Sequence, residues 1–566
     1  MLRKIFLRLA QYARSFRVSK GESRFVAVNR AFWNRYWPQG DAAGSSGRWV
    51  LVEGTSNPII NLCNASFGAI ACHARALRPV FFLHGLRNRS TRRMLESYHP
   101  GARFVFTTDL RYLLARFGAA LQALRAWSAM RGTQDVLDFR MDGMRFGDIV
   151  YDNALVFGYA TLRKADWKVL AVLYSFFLHR HIIRDLMRRY RLDSCVVAHT
   201  IGMLGGVFTR YLVSQGVEVI NRAGSHEIHL KKYQSAADIG FYPAKPERRY
   251  FELMMRNADV VLPLAEKYLD DRHGQQVNHI AVELAFSRNK RLFRDRAEFC
   301  NAYGLDPGKK IVFVMLHAFN DHPHSHFVRP LMFRDYFDWF ERTLLAAREI
   351  DSVNWVFKEH PAASFYPVKD VDVPGMFSHA PRPNIAFLDA DADFNGLSIR
   401  YLADVIVTCL GTAGMEYACL GIPCLLGGES PYSGFGFTDE PADQTEYLDR
   451  LRAIDRLPCL REDQVKAAKI VMFFELPIMH SVRYRFCPQY GYQQIKEITM
   501  PKVLADAADL MSDAEEAERR AQVIELARFL RNPRYTQYVN LSMYGFLRDA
   551  VPDEPLAGVS SAGMPG

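Results

Sequence analysis

Two segments in the second half of the chain each join a buried strand to a polar turn, and they constrain the fold strongly. They are Val353–Pro361 (VNWVFKEHP) and Val405–Gly428 (VIVTCLGTAGMEYACLGIPCLLGG). The β-branched run Val405–Thr408 is typical of a strand buried on both faces, as in a parallel sheet. The glycine-rich turn after it predicts a short helix over Met415–Leu420 and a further strand over Ile422–Leu426. This alternation predicts an α/β domain with right-handed crossovers.

The polar turns lie at the carboxyl ends of the predicted strands, where open α/β sheets bind ligands. Lys358 is a compact cation for phosphate, and Pro361 holds the His360 imidazole at the strand end. The turn over 411–414 offers backbone N–H groups at a helix N-terminus, which favour an anion. Glu416 offers a carboxylate to a ribose diol. Each feature alone also fits a tight turn, an edge charge or a capped histidine, but together they favour a site for a phosphate-bearing donor.

The region from about 300 to 450 resembles the capsule polysaccharide and surface-carbohydrate glycosyltransferases, a group that includes the Kdo transferases. The teichoic acid glycerophosphate polymerases are more distant relatives. The resemblance is carried by an ordered series: His317-Ala-Phe-Asn-Asp321, Asp335-Tyr-Phe-Asp-Trp339, Asn354-Trp355, Lys358-x-His360-Pro361, Gly411-Thr-Ala-Gly-x-Glu416, Gly421-x-Pro423 and Gly428-x3-Tyr432-x3-Gly436-Phe437-Thr438. It identifies a superfamily and no particular sugar.

The resemblance implies a GT-B protein, with two Rossmann-like domains of parallel sheets facing a central cleft and a helical C-terminal region. It implies that Lys358 and His360 contact the donor phosphate and that Glu416 contacts the ribose. Chemistry without a cofactor and without a metal is expected. The donor-binding set is therefore His317, Asp321, Lys358, His360, Gly411, Thr412, Ala413, Gly414 and Glu416.

The first half of the chain carries weaker signals of the same kind. Trp49–Glu53 is a predicted strand, followed by a helix over Asn57–Ala74. Phe146–Asp152 resembles a family segment in which an acidic residue faces the acceptor. Asp152 is the first candidate for the catalytic base and Glu53 the second, beside His360 as the third catalytic candidate. Either carboxylate could instead cap a helix or pair with an arginine.

Two groups of histidines remain open. His226 and His229 follow a predicted strand and could contact a substrate or have no role. The tract containing His322, His324 and His326 could suggest a metal, but a loop facing the donor is the favoured interpretation, because zinc sites need ligands on regular elements with defined spacing.

Charge is concentrated near the N-terminus. Residues 1–50 contain ten Lys or Arg against Glu22 and Asp41, within a net charge of +11 for the chain. Residues 1–20 predict a basic amphipathic helix that either binds an anionic membrane surface or packs on the protein. A pI near 9.1 permits nucleic-acid binding, but no binding module is present, so we expect none.

Composition supports more than one domain in 566 residues, of which 49% are apolar. Nine cysteines without a CxxC pair predict a reducing cytoplasm, with peripheral attachment to the inner face of the plasma membrane as an option. The predicted boundaries are a basic extension (1–47), an acceptor domain (48–262), a connection (263–295), a donor domain (296–445), a helical region (446–550) and a disordered tail (551–566).

These features predict a glycosyltransferase that moves a sugar from CMP-Kdo or a UDP-sugar to a bacterial surface polysaccharide or glycolipid. Two alternatives stay open at this level. One is an enzyme like the UDP-N-acetylglucosamine 2-epimerases, which share the fold and a glycine turn followed by glutamate. The other is a non-catalytic scaffold of a polysaccharide assembly complex.

Overall fold

The computed structural model describes residues 19–36, 47–55, 57–84, 89–224, 227–239, 244–277, 280–324, 331–479, 481–490, 498–512 and 515–552. The predicted basic helix over residues 1–20 falls almost wholly outside these ranges, as do His226, His326 and the tail after Pro552.

Two parallel sheets organise the chain, and the predicted α/β class is confirmed. The first has the order β3-β2-β1-β6-β7-β8, with only β8 antiparallel to its neighbour; the second has the order β11-β10-β9-β12-β13 and is wholly parallel. A two-stranded ribbon, β4-β5, lies apart. The strands are β1 (Arg48–Gly54), β2 (Arg78–Leu83), β3 (Arg103–Phe106), β4 (Arg140–Met141), β5 (Met144–Arg145), β6 (Arg191–Val197), β7 (Glu218–Gly224), β8 (Ile228–Tyr233), β9 (Lys310–Met315), β10 (Val353–Lys358), β11 (Ile385–Leu388), β12 (Val405–Thr408) and β13 (Cys424–Leu426).

Helices cover the faces of both sheets. They are α1 (Lys20–Trp33), α2 (Pro58–Arg75), α3 (Arg89–Glu96), α4 (Leu113–Ala129), α5 (Thr133–Leu137), α6 (Gly147–Leu155), α7 (Trp167–Arg189), α8 (Val207–Ser214), α9 (Arg248–Arg256), α10 (Ala258–His273), α11 (Ile280–Ala285), α12 (Arg296–Tyr303), α13 (Tyr336–Glu349), α14 (Val373–Ser378), α15 (Ile399–Leu402), α16 (Ala413–Ala418), α17 (Gln444–Arg452), α18 (Glu462–Phe473), α19 (Met500–Met511) and α20 (Glu516–Arg531).

The central strands are hydrophobic because helices cover both of their faces. Val405–Thr408 forms β12 as predicted, and all four residues are buried. The short helix begins two residues before its predicted start, at Ala413, and the following strand is confined to Cys424–Leu426. The Asx side chain of Asn57 caps α2 by accepting the Ile59 N–H, so that helix begins close to its predicted position.

The C-terminal helices return to the first sheet. Helix α19 packs on α1, and α20 packs on α2. Gln537 pairs with Lys231 of β8 in an isolated antiparallel bridge. The helical C-terminal region therefore contacts the first half of the chain.

Side chains from α6 and the following loop join the two halves. Asp335, which caps α13, accepts hydrogen bonds from the hydroxyls of Tyr151 and Thr161, both at 2.5 Å. The Ala160 N–H donates to Asp370 at 2.8 Å. These buried contacts hold the second sheet against the first half.

The helices in the described part of the chain include none with the length and apolarity to cross a membrane. All nine cysteines lie in the described ranges and are free thiols; Cys459 is exposed and the others are buried.

Candidate functional site

Each sheet reverses its strand order at one point, and the candidate residues cluster there. In the first sheet the order runs outward from β1 in both directions, so the reversal lies between β1 and β6. In the second it lies between β9 and β12. Ligands of open α/β sheets bind at such reversals, outside the carboxyl ends of the strands. The chain therefore has two candidate sites of this kind, one in each half.

His317 lies where the strand order of the second sheet reverses, between β9 and β12. Its Nε2 accepts the Leu410 N–H at 3.1 Å and lies 3.3 Å from the Thr408 hydroxyl, while its ring stacks on Tyr336 with centroids 4.6 Å apart. Burial, with a smaller effect of nearby His360, lowers the pKa of His317 to about 3. The ring is therefore neutral at pH 7 and ties β9 to the turn after β12.

Lys358, the last residue of β10, is a buried cation. Only 5% of it is exposed, and within the described residues its ammonium makes no hydrogen bond and no ion pair. Burial, with a smaller effect of nearby Lys290, lowers the pKa of Lys358 to about 8, although the carboxylates of Glu359 and Asp389 act in the opposite direction. An ammonium held out of water without a partner is costly, so a bound anion would gain strongly from it.

His360 lies two residues beyond Lys358. The Ala362 N–H donates to its Nδ1 at 3.1 Å, which leaves the proton of the neutral ring on Nε2. Burial, and the adjacent Lys358, lower the pKa of His360 to about 4. At neutral pH the imidazole is an uncharged donor, as a contact to a phosphate oxygen needs.

The glycine turn is only partly available to a ligand. Gly411 N–H donates to the Thr408 hydroxyl at 3.1 Å and Gly414 N–H to the Gly411 carbonyl at 3.0 Å. Among the described residues, the amides of Thr412 and Ala413 have no acceptor. The turn therefore uses two of its own four amides, and the binding of an anion by the amides of Thr412 and Ala413 stays a prediction.

Gly414 has a packing role. A Cβ at this position would lie 2.3 Å from the Tyr432 hydroxyl and 2.8 Å from the Cys424 sulfur. The close approach that requires glycine here is to the protein interior, and no ligand is needed to explain it.

Glu416 is bound by a residue from the connection between the two halves. Its Oε1 lies 2.6 Å from Nη2 of Arg272 on α10 and accepts the Thr412 hydroxyl at 3.0 Å. Burial raises the pKa of Glu416, but Arg272 and Thr412 outweigh it, and the net shift is downward. The carboxylate is ionised, and one of its oxygens is already occupied; its predicted contact with a ribose stays a prediction.

Glu53 stands at the reversal of the first sheet. Its Oε2 accepts the Ala198 N–H, just beyond β6, at 2.6 Å. Burial raises the pKa of Glu53 to about 7, against the opposing effects of that N–H and of Arg222. A carboxyl group with this pKa exchanges its proton readily at physiological pH.

Arg222 supports this side of the site from β7. It is fully buried, donates Nε to Asn64 at 2.6 Å and Nη1 to the Gly224 carbonyl at 2.7 Å. Its Nη2 has no acceptor within the described ranges. Asn64 in turn donates to the Glu53 carbonyl at 2.8 Å, so a short polar chain connects Arg222 to the end of β1.

Asp152 is fully buried and joins the two halves of the chain. It lies on α6, and its two carboxylate oxygens accept the backbone N–H of His324 at 3.1 and 3.3 Å. His324 itself donates from Nε2 to the Arg334 carbonyl at 2.7 Å. A role as catalytic base stays a prediction for Asp152, whereas its contact with the loop after β9 is direct.

That loop also brings the two sites together. Burial, with nearby His199 from the first sheet, lowers the pKa of His322 to about 4. Asp321 is part-buried, and burial raises its pKa. The loop after β9 therefore faces the residues beyond β6. Side chains of the described ranges form no group of three or more His, Cys, Asp or Glu that could hold a metal.

Three residues of this region had no assigned role in the sequence analysis: Arg272, Arg222 and His199. Each lies at the end of a helix or strand in the half of the chain with the weaker motifs. His229, the remaining open histidine, lies on β8 opposite Ala223.

No protein-family model and no curated protein matches the chain. Solved structures do: the beta Kdo 2,4 transferase KpsC of Thermosulfurimonas dismutans is 14% identical, with a TM-score of 0.32, over 49% of this chain and 79% of that one. The wall teichoic acid polymerase TagF is 10% identical, with a TM-score of 0.20, over 91% and 98%. UDP-GlcNAc 2-epimerase from Neisseria meningitidis bound to UDP-GlcNAc is 8% identical, with a TM-score of 0.21, over 84% and 100%. Because these identities and TM-scores are low, we assign the fold from the strand order of the two sheets described above.

Proposed function

We propose that the chain is a glycosyltransferase that moves a sugar from a nucleotide-sugar donor to a surface polysaccharide or glycolipid acceptor. The observation that carries the proposal is Lys358, a buried ammonium at the carboxyl end of β10 that makes no hydrogen bond and no ion pair with the described residues. A donor phosphate is the anion that it would bind. The motif series around Lys358 and His360 resembles that of glycosyltransferases, which supports the same assignment.

Sugar transfer develops negative charge on the departing nucleotide phosphate. Groups already directed at that charge lower the barrier, because they need no rearrangement during the reaction. The Lys358 ammonium, the Nε2–H of His360 and the amides of Thr412 and Ala413 would supply this stabilisation. These protein groups would stabilise the developing phosphate charge without a metal ion.

Glu53 is the base that we assign to the acceptor hydroxyl. Its pKa of about 7 lets it hold the proton at one stage and release it at another, and it stands at the ligand-binding end of the first sheet. Asp152 ranks behind it, since its carboxylate already accepts the His324 backbone N–H. His360 acts on the donor side.

CMP-Kdo is the donor to test first, because the Lys-x-His-Pro motif resembles that of the Kdo transferases. A UDP-sugar is the second choice. The acceptor is a growing surface polysaccharide or a glycolipid.

Calorimetric titration of the full chain with CMP, UDP and CDP tests the donor site. We expect one nucleotide to bind, and Lys358→Ala to weaken its affinity about 10-fold or more, as the loss of a charge-assisted contact implies. Lys310→Ala is the matched control: Lys310 lies at the amino end of neighbouring β9, where its ammonium donates to the Asp455 carbonyl at 2.7 Å. It should bind like the wild type.

If none of the three nucleotides binds, the proposed glycosyltransferase function is wrong. Binding that is unchanged in Lys358→Ala would move the donor site elsewhere. Incubation of the bound nucleotide's sugar form with the enzyme then separates transfer from epimerisation: a transferase leaves the sugar's configuration unchanged when no acceptor is present, whereas an epimerase converts it.

A further inference from the structure

Helix α4 and the turn before it expose all five of their leucines and their one phenylalanine. These six side chains form one face, which we call the apolar stripe: Leu110, Leu113, Leu114, Phe117, Leu121 and Leu124. Each is between 47 and 86% exposed. Leu110 lies in the single turn that leads into α4, and the spacings of three and four residues place all six side chains along one side of a helix. The 17 residues of α4 span about 25 Å, at 1.5 Å per residue.

The opposite face of α4 explains why the helix forms without burying the stripe. Ala115, Ala119 and Ala123 are buried, four residues apart, and α4 packs on α7 through this side. Small alanines let two helices approach closely. The usual amphipathic pattern is thus inverted, because alanines face the protein and the leucines face outward. Contiguous exposed apolar surface of this kind marks an interaction site.

The charges around the stripe indicate its partner. Residues 110–131 contain Arg111, Arg116, Arg125 and Arg131 and no Asp or Glu. Asp109, just before the stripe, is buried and lies 4.0 Å from Arg111. A second copy of the chain is a poor partner, since a two-fold dimer through this face would gather the arginines of both copies in one interface, with no Asp or Glu of residues 110–131 to pair with them. An anionic surface complements them.

A large aromatic side chain lies beyond the C-terminal end of the stripe. Trp127, in the last turn of α4, donates to the Ala165 carbonyl at 2.9 Å. Trp167, two residues after Ala165, is 63% exposed. Its ring contacts that of Phe157 edge-on, with the ring centroids 6.1 Å apart. Tryptophan is enriched at the level of lipid headgroups.

We propose that α4 is a membrane-docking helix, which lies on the surface of a bilayer rich in anionic lipid with its apolar stripe among the acyl chains. The flanking arginines contact lipid phosphates, and the stripe leaves water. Helices that bind in the plane of an interface combine an apolar face with basic flanks in this way. Membrane binding through α4 does not depend on the proposed sugar transfer, and either proposal can be correct when the other is wrong.

Co-sedimentation of the full chain with vesicles tests the proposal. We expect binding to vesicles of phosphatidylcholine and phosphatidylglycerol, and weaker binding to phosphatidylcholine alone, because the arginines favour anionic lipid. The F117E/L121E variant should lower the bound fraction about 10-fold, since it places two carboxylates in the stripe. L345E/I524E is the matched control: Leu345 and Ile524 are 54 and 58% exposed on α13 and α20. It should bind like the wild type.

Two results would overturn the proposal in this assay. One is binding by F117E/L121E that equals the wild type. The other is a wild type that binds no vesicle, including the case in which sedimentation velocity shows a dimer that F117E/L121E dissociates, because the stripe would then join two copies.

A local probe separates docking through α4 from docking through another part of the chain. An environment-sensitive fluorophore is attached to the F117C/C459S variant, in which the native exposed thiol is removed, and to L345C/C459S as the control. Anionic vesicles should shift the emission of the probe at 117 to the blue and leave that at 345 unchanged. Binding without a shift at 117 would assign the contact elsewhere and overturn the proposal.

Discussion

The strand order reverses in the same way in both sheets, but the ionisable side chains at the two reversals differ in charge. In the second sheet, His317 and His360 are neutral, and the buried ammonium of Lys358 makes no ion pair with the described residues. In the first sheet, Glu53 is a carboxyl group with a pKa of about 7, beside the buried guanidinium of Arg222. One side offers positive charge to a ligand, and the other offers a group that exchanges protons.

This difference suggests which substrate each sheet would bind. A phosphate-bearing donor suits the second sheet, because a desolvated cation binds anions strongly. An acceptor hydroxyl suits the first sheet, because a carboxylate with a pKa near the working pH can remove its proton. The loop after β9, with His322 near His199, lies where the two sides meet.

The largest effect is expected at Lys358. Lys358→Met should lower kcat for sugar transfer about 10²–10³-fold, as the loss of one group directed at transition-state charge does. Lys310→Met, at the opposite end of the sheet, should retain full activity. Steady-state rates with a saturating donor check this, and an unchanged kcat in Lys358→Met would remove the asymmetry between the two sites.

Glu53→Gln tests the other side. The carboxylate must be ionised to act as a base, so the wild-type rate should rise with pH through about 7. In Glu53→Gln we expect kcat to fall about 10²-fold and this limb of the pH profile to disappear. Glu349, exposed near the end of α13, provides the control Glu349→Gln. A variant that keeps the limb would return Asp152 to first place.

Gly414→Ala tests whether the donor-side turn is as tightly packed as the structure shows. The added Cβ would meet the Tyr432 hydroxyl, and we expect the free energy of unfolding to fall by about 1–3 kcal/mol. Urea unfolding measures it. The cost should shrink in a Tyr432→Phe background, where that hydroxyl is absent. Gly118→Ala is the control, because nothing lies within 4 Å of a Cβ there.

The smallest effect concerns stability in the absence of ligand. The pKa of Lys358 is about 8 in the folded chain and about 10.4 when unfolded, so the unfolded state binds more protons between these values. Wild-type stability should therefore rise relative to Lys358→Met by about 1–2 kcal/mol as the pH increases from 7 to 9.5. Urea unfolding at the two pH values measures the difference. A gap that stays constant with pH would show that the ammonium is not desolvated.

Local patterns predicted much of the second half of the chain. The strand Val405–Thr408, the strand ending in Lys358 and the turn before the short helix were all readable, because consecutive residues define them. Which N–H groups the glycine turn uses for itself could not be predicted, because this depends on how the turn closes: Gly414 donates to the Gly411 carbonyl.

The apolar stripe on α4 shows a different limit. Its helical spacing is visible in the sequence, but a stripe of leucines on a helix ordinarily faces the core. Only the packing of the alanine face on α7 shows that the stripe is turned outward.

The sequence by itself determined the two-sheet α/β class and the positions of Lys358, His360 and Glu53 at strand ends, because strand periodicity and turn residues act over a few neighbouring positions. The tertiary structure decided which of these groups are paired. Arg272 reaches Glu416 across 144 residues, whereas Lys358 meets no counter-ion within the described residues. Such partnerships depend on how distant elements pack, and burial then sets the pKa and the chemistry of each group.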